Sequence, residues 1–208
     1  MTPGLERIIS AERLGSYMSS SGFDRNRALR LYAWNMRMSA AFFPLIAAGE
    51  IAVRNLAAAR IAQLFGPIWW DDPRFQRRLG GRGKGIVLRA VTKLNAEGKT
   101  ATHGRLTSEL SFGFWVNMLL PKYEHDLWMP LHSHFPDMDT SVDRDGLHSR
   151  LLHIQGLRNR IGHHEPIFQR NLTQEYADCL GLVRWMSAEK AAWIRPHCDV
   201  LRLMREKP

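Results

Sequence analysis

The segment from Asp24 to Phe65 has a helical pattern almost throughout, and this long pattern restricts the possible folds most strongly. One line of residues recurs at spacings of three and four, as on one side of a helix. The line contains Met36, Ala40, Phe43, Ala47, Ile51, Arg54, Ala58 and Ile61. Pro44 lies within the segment and should kink the helix or divide it in two.

The rest of the chain also shows helical patterns and no alternating strand pattern. Further helices are predicted for Pro3 to about Ser19, Ile86 to about Ala96, Thr107 to Pro121, Asp143 to Glu165, Asn171 to about Ala188 and Glu189 to about Arg205. There is no internal repeat and no linker composition. We therefore predict one all-α domain, a helical bundle that spans residues 1–208, with a long kinked helix after the N-terminal helix.

Residues 66–106 are expected to be a variable, loop-rich segment, because they contain the glycine-rich run from Gly80 to Gly85. The run lacks the Gly-Lys-Ser/Thr ending of a Walker A loop. Two interpretations remain open. The run is either a flexible loop or a basic loop in which Arg82 and Lys84 contact RNA phosphates.

The chain has 208 residues, of which 45% are apolar and 24% charged, a composition typical of globular proteins. Its formal charge of +9 favours a polyanionic partner, with nucleic acid ahead of a membrane surface. The two cysteines, Cys179 and Cys198, form no CxxC motif, which indicates a reducing compartment. The N-terminus lacks a signal-peptide pattern, and the apolar run Ala40–Val53 is too short to span a membrane. We therefore expect a cytoplasmic protein.

The densest group of reactive residue types lies between Gly156 and Phe168, near the end of a predicted helix that Pro166 stops. Arg158 stands on an apolar line of this helix. The other members of the line are Leu147, Leu151, Ile154 and Ile161. A buried unpaired arginine is costly, so Arg158 should pair with a carboxylate, with Glu50 as the candidate, or face a cleft or another subunit.

Asn159 and His163 are four residues apart and share the neighbouring face of the helix. Arg158 and His163 are about 140° apart around an ideal helix, so they flank a groove. Cleavage of RNA without a metal needs a proton acceptor, a proton donor and a cation for the phosphorane. Histidine and arginine supply these functions. The predicted catalytic residues are Arg158, Asn159 and His163, supported by His164, Arg160, Glu50 and Arg54.

Two further features have competing interpretations. Glu50 and Arg54 are four apart and form either an ordinary helix salt bridge or part of the site. The histidines His125, His132 and His134 lack partners at a recognised metal-binding spacing, and the His163-His164-Glu165 run lacks the spacing of a zinc pair. We expect no metal and no cofactor, and a metal-dependent hydrolase remains the least favoured alternative.

An Arg-x(4–6)-His spacing alone is not specific, because roughly three are expected by chance in a chain of this composition. The stretch Leu157–Phe168 as a whole resembles the signature of the Abi-like (abortive infection) proteins of bacteria, which belong to the HEPN superfamily. Three other stretches agree: Arg30–Asn35, Glu50–Asn55 and Leu110–Trp115. The resemblance covers about Arg13 to Trp185, and Arg74–Arg105 is its least familiar part.

The resemblance implies a HEPN-type helical bundle that forms a two-fold dimer, with the motifs meeting at the interface. It also implies a metal-independent endoribonuclease, used against phage or toxic to the host cell, with a neutralising antitoxin or a regulatory partner. The family's Arg, Asn and His match Arg158, Asn159 and His163, and Gly162 is small, as the pattern requires. The alternative is a non-catalytic HEPN module that binds RNA or proteins.

Overall fold

The computed structural model describes residues 9–129 and 131–208, and every regular element in these ranges is helical. The prediction of an all-α protein is therefore confirmed. Nine α-helices follow one another in the described ranges: α1 Ala11–Ser20, α2 Arg25–Phe65, α3 Pro73–Ala96, α4 His103–Glu109, α5 Phe112–Asn117, α6 Arg144–Gly162, α7 Leu172–Met186, α8 Ala188–Ile194 and α9 Val200–Arg205. Short 3₁₀ turns lie at Pro121–Tyr123, Leu131–Ser133 and Arg195–His197, and a π-helical turn at Glu124–Trp128. Part of the predicted first helix, residues 1–8, lies outside the described ranges.

Helix α2 is the centre of the bundle and packs against α1, α6, α7 and α9. Asp24 caps its N-terminus by accepting a hydrogen bond from the Arg27 N–H at 2.9 Å. The predicted division at Pro44 does not occur, since the helix runs on to Phe65. Phe42 and Leu45, on either side of the proline, are fully buried, so both halves are held against one core.

The buried face of α2 differs from the predicted line of residues. Its core side chains include Leu31, Trp34, Met38, Phe42 and Leu45. From the predicted line, Met36, Phe43 and Ile51 are exposed, whereas Ala58 and Ile61 are buried. The N-terminal half of the line therefore forms an exposed apolar stripe on the surface of the bundle.

By length and composition, α2 is also long and apolar enough to cross a membrane. Its most apolar window has a mean hydropathy of 1.4, and 39% of that window is buried within the protein. A core helix of a globular protein meets the same criteria. The apolar run Ala40–Val53 is itself shorter than a membrane span, but it lies within this longer helix, which Pro44 does not end.

The expectation of a loop-rich segment at residues 66–106 is wrong, because α3 and α4 occupy most of it. Only Gly80 leaves helical geometry within α3, with φ 68° and ψ 178°. The side chains of Lys122 and Tyr123 donate to the carbonyl oxygen of Arg78, at 2.9 and 3.3 Å. These bonds satisfy a carbonyl next to the break, and the chain continues as a helix after Gly80.

Two other predicted helices are divided. The predicted helix from Thr107 to Pro121 is interrupted at Leu110 and Ser111, where the backbone is extended and Ser111 caps α5. The C-terminal segment is divided by the 3₁₀ turn at Arg195–His197, because Pro196 cannot donate the hydrogen bond that a continuous helix needs. Both breaks are local and leave the bundle intact.

Candidate functional site

Helix α6 carries the motif and ends in a tight, defined turn. The N–H of His164 donates to the Ile161 carbonyl at 3.0 Å, and the N–H of Glu165 donates to the Arg160 carbonyl at 2.8 Å. These two bonds are those of a Schellman motif. His164 occupies the position usually held by glycine, and its φ is +57°.

Asn35 of α2 holds the chain that follows this turn. It is 4% exposed, and its Oδ1 accepts hydrogen bonds from the N–H groups of Ile167 and Phe168 at 2.8 and 3.1 Å. Arg160 also donates to the Pro166 carbonyl at 3.0 Å. These hydrogen bonds restrain the backbone at Pro166 and directly after it. They therefore fix the position of the end of α6 relative to α2.

Helix α1 provides a third restraint on the motif turn. Arg13 Nη1 donates to the carbonyl oxygen of His164 at 2.6 Å. Close by, the Tyr17 ring lies 4.9 Å from the Phe168 ring and 5.1 Å from the Tyr32 ring, measured between centroids. The N-terminal helix thus restrains the backbone of the motif turn, while both histidines remain exposed.

Two adjoining cavities of about 690 and 480 Å³ lie along the motif and share Phe43 and Ile161. We call them together the motif groove. Arg13, Tyr17, Tyr32, Asn35, Met36 and His164 help to line the larger cavity. Glu50, Ile51, Arg54, Arg158 and Gly162 help to line the smaller one. The groove runs between α2 and the end of α6, and the exposed apolar stripe forms part of its wall.

Arg158 has the carboxylate partner that its position in an apolar line predicts. Its Nε lies 3.5 Å from Oε2 of Glu50, so the candidate acceptor is confirmed. Glu50 pairs with Arg158 rather than with Arg54. The Nε of Arg54 is buried and has no hydrogen-bond partner among the described residues.

The smaller cavity has an electrostatic preference. Two arginines, Arg54 and Arg158, and one glutamate, Glu50, leave a formal surplus of one positive charge on its wall. Guanidinium groups match the geometry of phosphate oxygens, and Arg54 has an unused buried donor. The cavity is therefore suited to hold an anion such as a phosphate group.

Three of the predicted site residues are not part of the motif groove. Asn159, Arg160 and His163 are exposed, and among the described residues they line neither of its two cavities. His163 ends α6 as its C-cap, about 140° around the helix from Arg158. The structure thus brings together Arg158, Glu50 and Arg54 in the smaller cavity and places His164 in the adjoining larger one, whereas Asn159 and His163 line neither.

The phenol of Tyr17 is unsuited to act as a base in the groove. Burial raises the pKa of Tyr17 to about 12, the neighbouring Tyr32 adds to the rise, and Arg13 opposes it. The hydroxyl therefore remains protonated near neutral pH. Histidine is the side chain best suited to exchange protons there.

Arg82 and Lys84 lie on α3, are exposed, and do not line the motif groove. Lys84 instead lines a separate cavity of about 290 Å³ beside Trp70 and Leu88. Their predicted role in RNA binding is thus physically independent of the motif.

A wider basic cleft of about 720 Å³ lies at the C-terminal end of α2. It is lined by Arg74, Arg77 and Arg78 together with Asp126. Arg74 pairs with Asp72 and Arg78 with Asp126, so most of its charge is already neutralised. The cleft contains no motif residue.

Within residues 9–129 and 131–208, no three His, Cys, Asp or Glu side chains come together as a group that could hold a metal ion. His125 is exposed beside Asp126. His132 lies elsewhere, with its Nε2 3.3 Å from the Asp139 carbonyl oxygen.

Two residues that shape the site were not among the predicted ones. Asn35 interrupts the buried line of Leu31, Met38 and Phe42, and a polar residue in such a line is a detectable signal. Arg13 offers no comparable signal, because its partner lies 151 residues away in the sequence.

Compared with known protein families, curated proteins and solved structures, the chain matches none of them.

Proposed function

We propose that this protein is a metal-independent endoribonuclease of the abortive-infection or toxin type, which acts on RNA in the cytoplasm. One observation supports this proposal most directly. Arg54 and Arg158 face the same cavity, and the turn with two adjacent histidines lies at the end of the helix that carries Arg158. This arrangement combines a phosphate site with groups that transfer protons, as HEPN-type chemistry requires.

The proposed reaction begins with attack of a ribose 2′-oxygen on the adjacent phosphorus. One of the two adjacent histidines accepts the 2′ proton, the P–O5′ bond breaks, and the leaving oxygen takes up a proton. The products are a 2′,3′-cyclic phosphate and a 5′-hydroxyl. Arg158 and Arg54 balance the charge that builds up on the phosphorane, and Glu50 orients Arg158.

Asn159, Arg160 and His163 need a facing surface, because they stand outside the groove of one chain. We propose that a second copy of the chain provides it. Met36, Phe43 and Ile51 form the exposed apolar stripe on the wall of the groove, with exposed fractions of 52, 66 and 42%. Such a stripe favours burial in an interface, and a two-fold dimer would place two motifs together.

The test is incubation of the purified protein with total RNA in the presence of EDTA. The wild type should produce fragments with 2′,3′-cyclic phosphate ends. Arg158→Ala and the double variant His163→Ala/His164→Ala should each lose at least about 100-fold in rate. Arg184→Ala removes an exposed arginine from α7 and should cleave like the wild type.

A different result would support another function. RNA that stays intact, with a gel shift retained in both variants, would contradict the nuclease proposal and favour a non-catalytic RNA-binding module. The formal charge of +9 makes such binding dependent on salt. Cleavage that requires an added divalent metal would instead favour a metal-dependent hydrolase.

A further inference from the structure

We infer that His164, and not its neighbour His163, is the histidine that exchanges a proton with RNA in the motif groove. The inference rests on the proposed nuclease function and refines it. The family resemblance assigns the motif histidine to position 163, so the geometry of the turn points to a different residue of the same pair.

The backbone of His164 is the first observation. Its φ of +57° lies in the left-handed region, which a residue with a Cβ adopts less readily than glycine. Only Ser10 and Phe23 share a positive φ with it among the described residues that are not glycine. A glycine would close the same Schellman turn with less strain, so the turn itself does not require an imidazole at this position.

The surroundings of the turn hold this strained conformation in place. Arg13 binds the carbonyl oxygen of His164 at 2.6 Å, and the N–H of His164 is bonded to Ile161. Further along, Asn35 binds the N–H groups of Ile167 and Phe168. The backbone is therefore restrained on both sides of the side chain, as proton transfer at a defined position requires.

The direction of the chain separates the two histidines. His163 has φ −92° and ψ 8° and completes the helix, so its side chain stays on the Asn159 side. The left-handed residue reverses the chain, and His164 lines the larger cavity of the groove together with Ile161. Ile161 also lines the smaller cavity, beside Arg158. His164 is thus the motif histidine that lies in the same groove as Arg54 and Arg158.

The step assigned to His164 is that of a general base. Its neutral imidazole takes the proton from the ribose 2′-hydroxyl while the 2′-oxygen forms a bond to phosphorus. The P–O5′ bond breaks, and the leaving 5′-oxygen takes a proton from water. The resulting hydroxide is neutralised by the proton held on His164, which returns the residue to its starting form.

The experiment compares single substitutions in the cleavage assay and in thermal unfolding. His164→Gly removes both the imidazole and the strain, and His164→Asn keeps a residue that tolerates left-handed geometry. We expect each to lose at least about 100-fold in rate. The melting temperature of His164→Gly should rise, which separates loss of chemistry from loss of folding. His163→Asn should retain at least ten times the rate of His164→Asn, and His153→Asn, an exposed change earlier in α6, should cleave like the wild type.

Chemical rescue provides a readout that a purely structural role would not change. Added imidazole should restore part of the rate of His164→Gly and none of the rate of Arg158→Ala. Wild-type cleavage by His164→Asn, with loss of cleavage in His163→Asn, would overturn the assignment and leave the proposed function standing. A wild-type protein that cleaves no RNA would instead overturn the proposed function, and the assignment with it.

Discussion

Arg158 and Glu50 form an ion pair on the wall of the smaller cavity of the motif groove, with Nε of the arginine 3.5 Å from Oε2 of the glutamate. The Arg158 side chain is 46% exposed, so this pair contributes little to folding. Both residues line the cavity together with Arg54. The pair is therefore better explained by ligand binding than by stability.

Arg158→Lys should lower the rate of RNA cleavage strongly and leave RNA binding largely intact. Lysine retains the positive charge but lacks the planar fork that contacts two phosphate oxygens. We expect a fall of roughly 10²–10³-fold in kcat, with a gel-shift midpoint close to that of the wild type. Arg184→Lys is the matched control. An unchanged kcat in Arg158→Lys would remove the guanidinium from the proposed mechanism.

Asn35→Ala should destabilise the protein, because it leaves the buried N–H groups of Ile167 and Phe168 without their acceptor. The expected loss is about 1–3 kcal/mol in the free energy of unfolding, measured by urea denaturation. Asn117→Ala, an exposed position at the end of α5, should change it by less than about 0.5 kcal/mol. Equal stability of Asn35→Ala and the wild type would show that these two hydrogen bonds contribute nothing to the free energy of unfolding.

Gly162→Ala should be tolerated, although Gly162 matches the small residue of the motif pattern. An added Cβ would lie 3.8 Å from Nη1 of Arg158, an ordinary contact distance. Alanine is also the better helix former, so stability should rise by up to about 1 kcal/mol. Gly80→Ala is the contrasting variant. Its φ of +68° should make it less stable by about 1–2 kcal/mol.

Phe43→Asp should prevent the proposed dimer and reduce cleavage in parallel. Phe43 is 66% exposed in the middle of the apolar stripe, and a charge there would have to be buried in the interface. Analytical ultracentrifugation at micromolar concentration should show a dimer for the wild type and a monomer for the variant. Leu88→Asp changes an equally exposed leucine on α3 and should remain dimeric. A monomeric wild type that cleaves RNA would contradict a shared site.

The stability of the protein should fall as the pH is lowered below about 6.5. Burial lowers the pKa of His148, with Arg144 adding to the effect and Asp145 opposing it, and burial likewise lowers the pKa of His134. The unfolded chain therefore binds protons more readily than the folded one as the pH falls below the ordinary value of 6.5. The loss of stability should level off once the pH is below the pKa values of these two histidines in the folded protein.

His148→Gln tests this explanation. The slope of the unfolding free energy against pH should become smaller in the variant between pH 7 and the acidic plateau, because one of the two half-buried imidazoles is gone. Denaturant titrations at several pH values provide the measurement. An identical slope in the wild type and the variant would assign the pH dependence to other groups.

Local features of the sequence were sufficient to predict the class of fold and several helix ends. Asp24, Asp143 and Asn171 each cap a helix within three residues of their own position, so the signal and its effect lie together. Arg158 was identified for a similar reason, since its place in an apolar line demanded a partner. Glu50 was the candidate partner, and the structure confirms the pair.

The tertiary structure decided which surfaces meet. A helical period shows that Met36, Phe43 and Ile51 share a line, but which line is buried depends on the helices that pack beside it. At the start of the glycine-rich run, Lys122 and Tyr123 of another element bind the Arg78 carbonyl oxygen next to the break, a contact that no local pattern indicates. His164 faces the groove because its turn is closed locally and held by Arg13, 151 residues away, and contacts at that separation arise only when the whole core assembles.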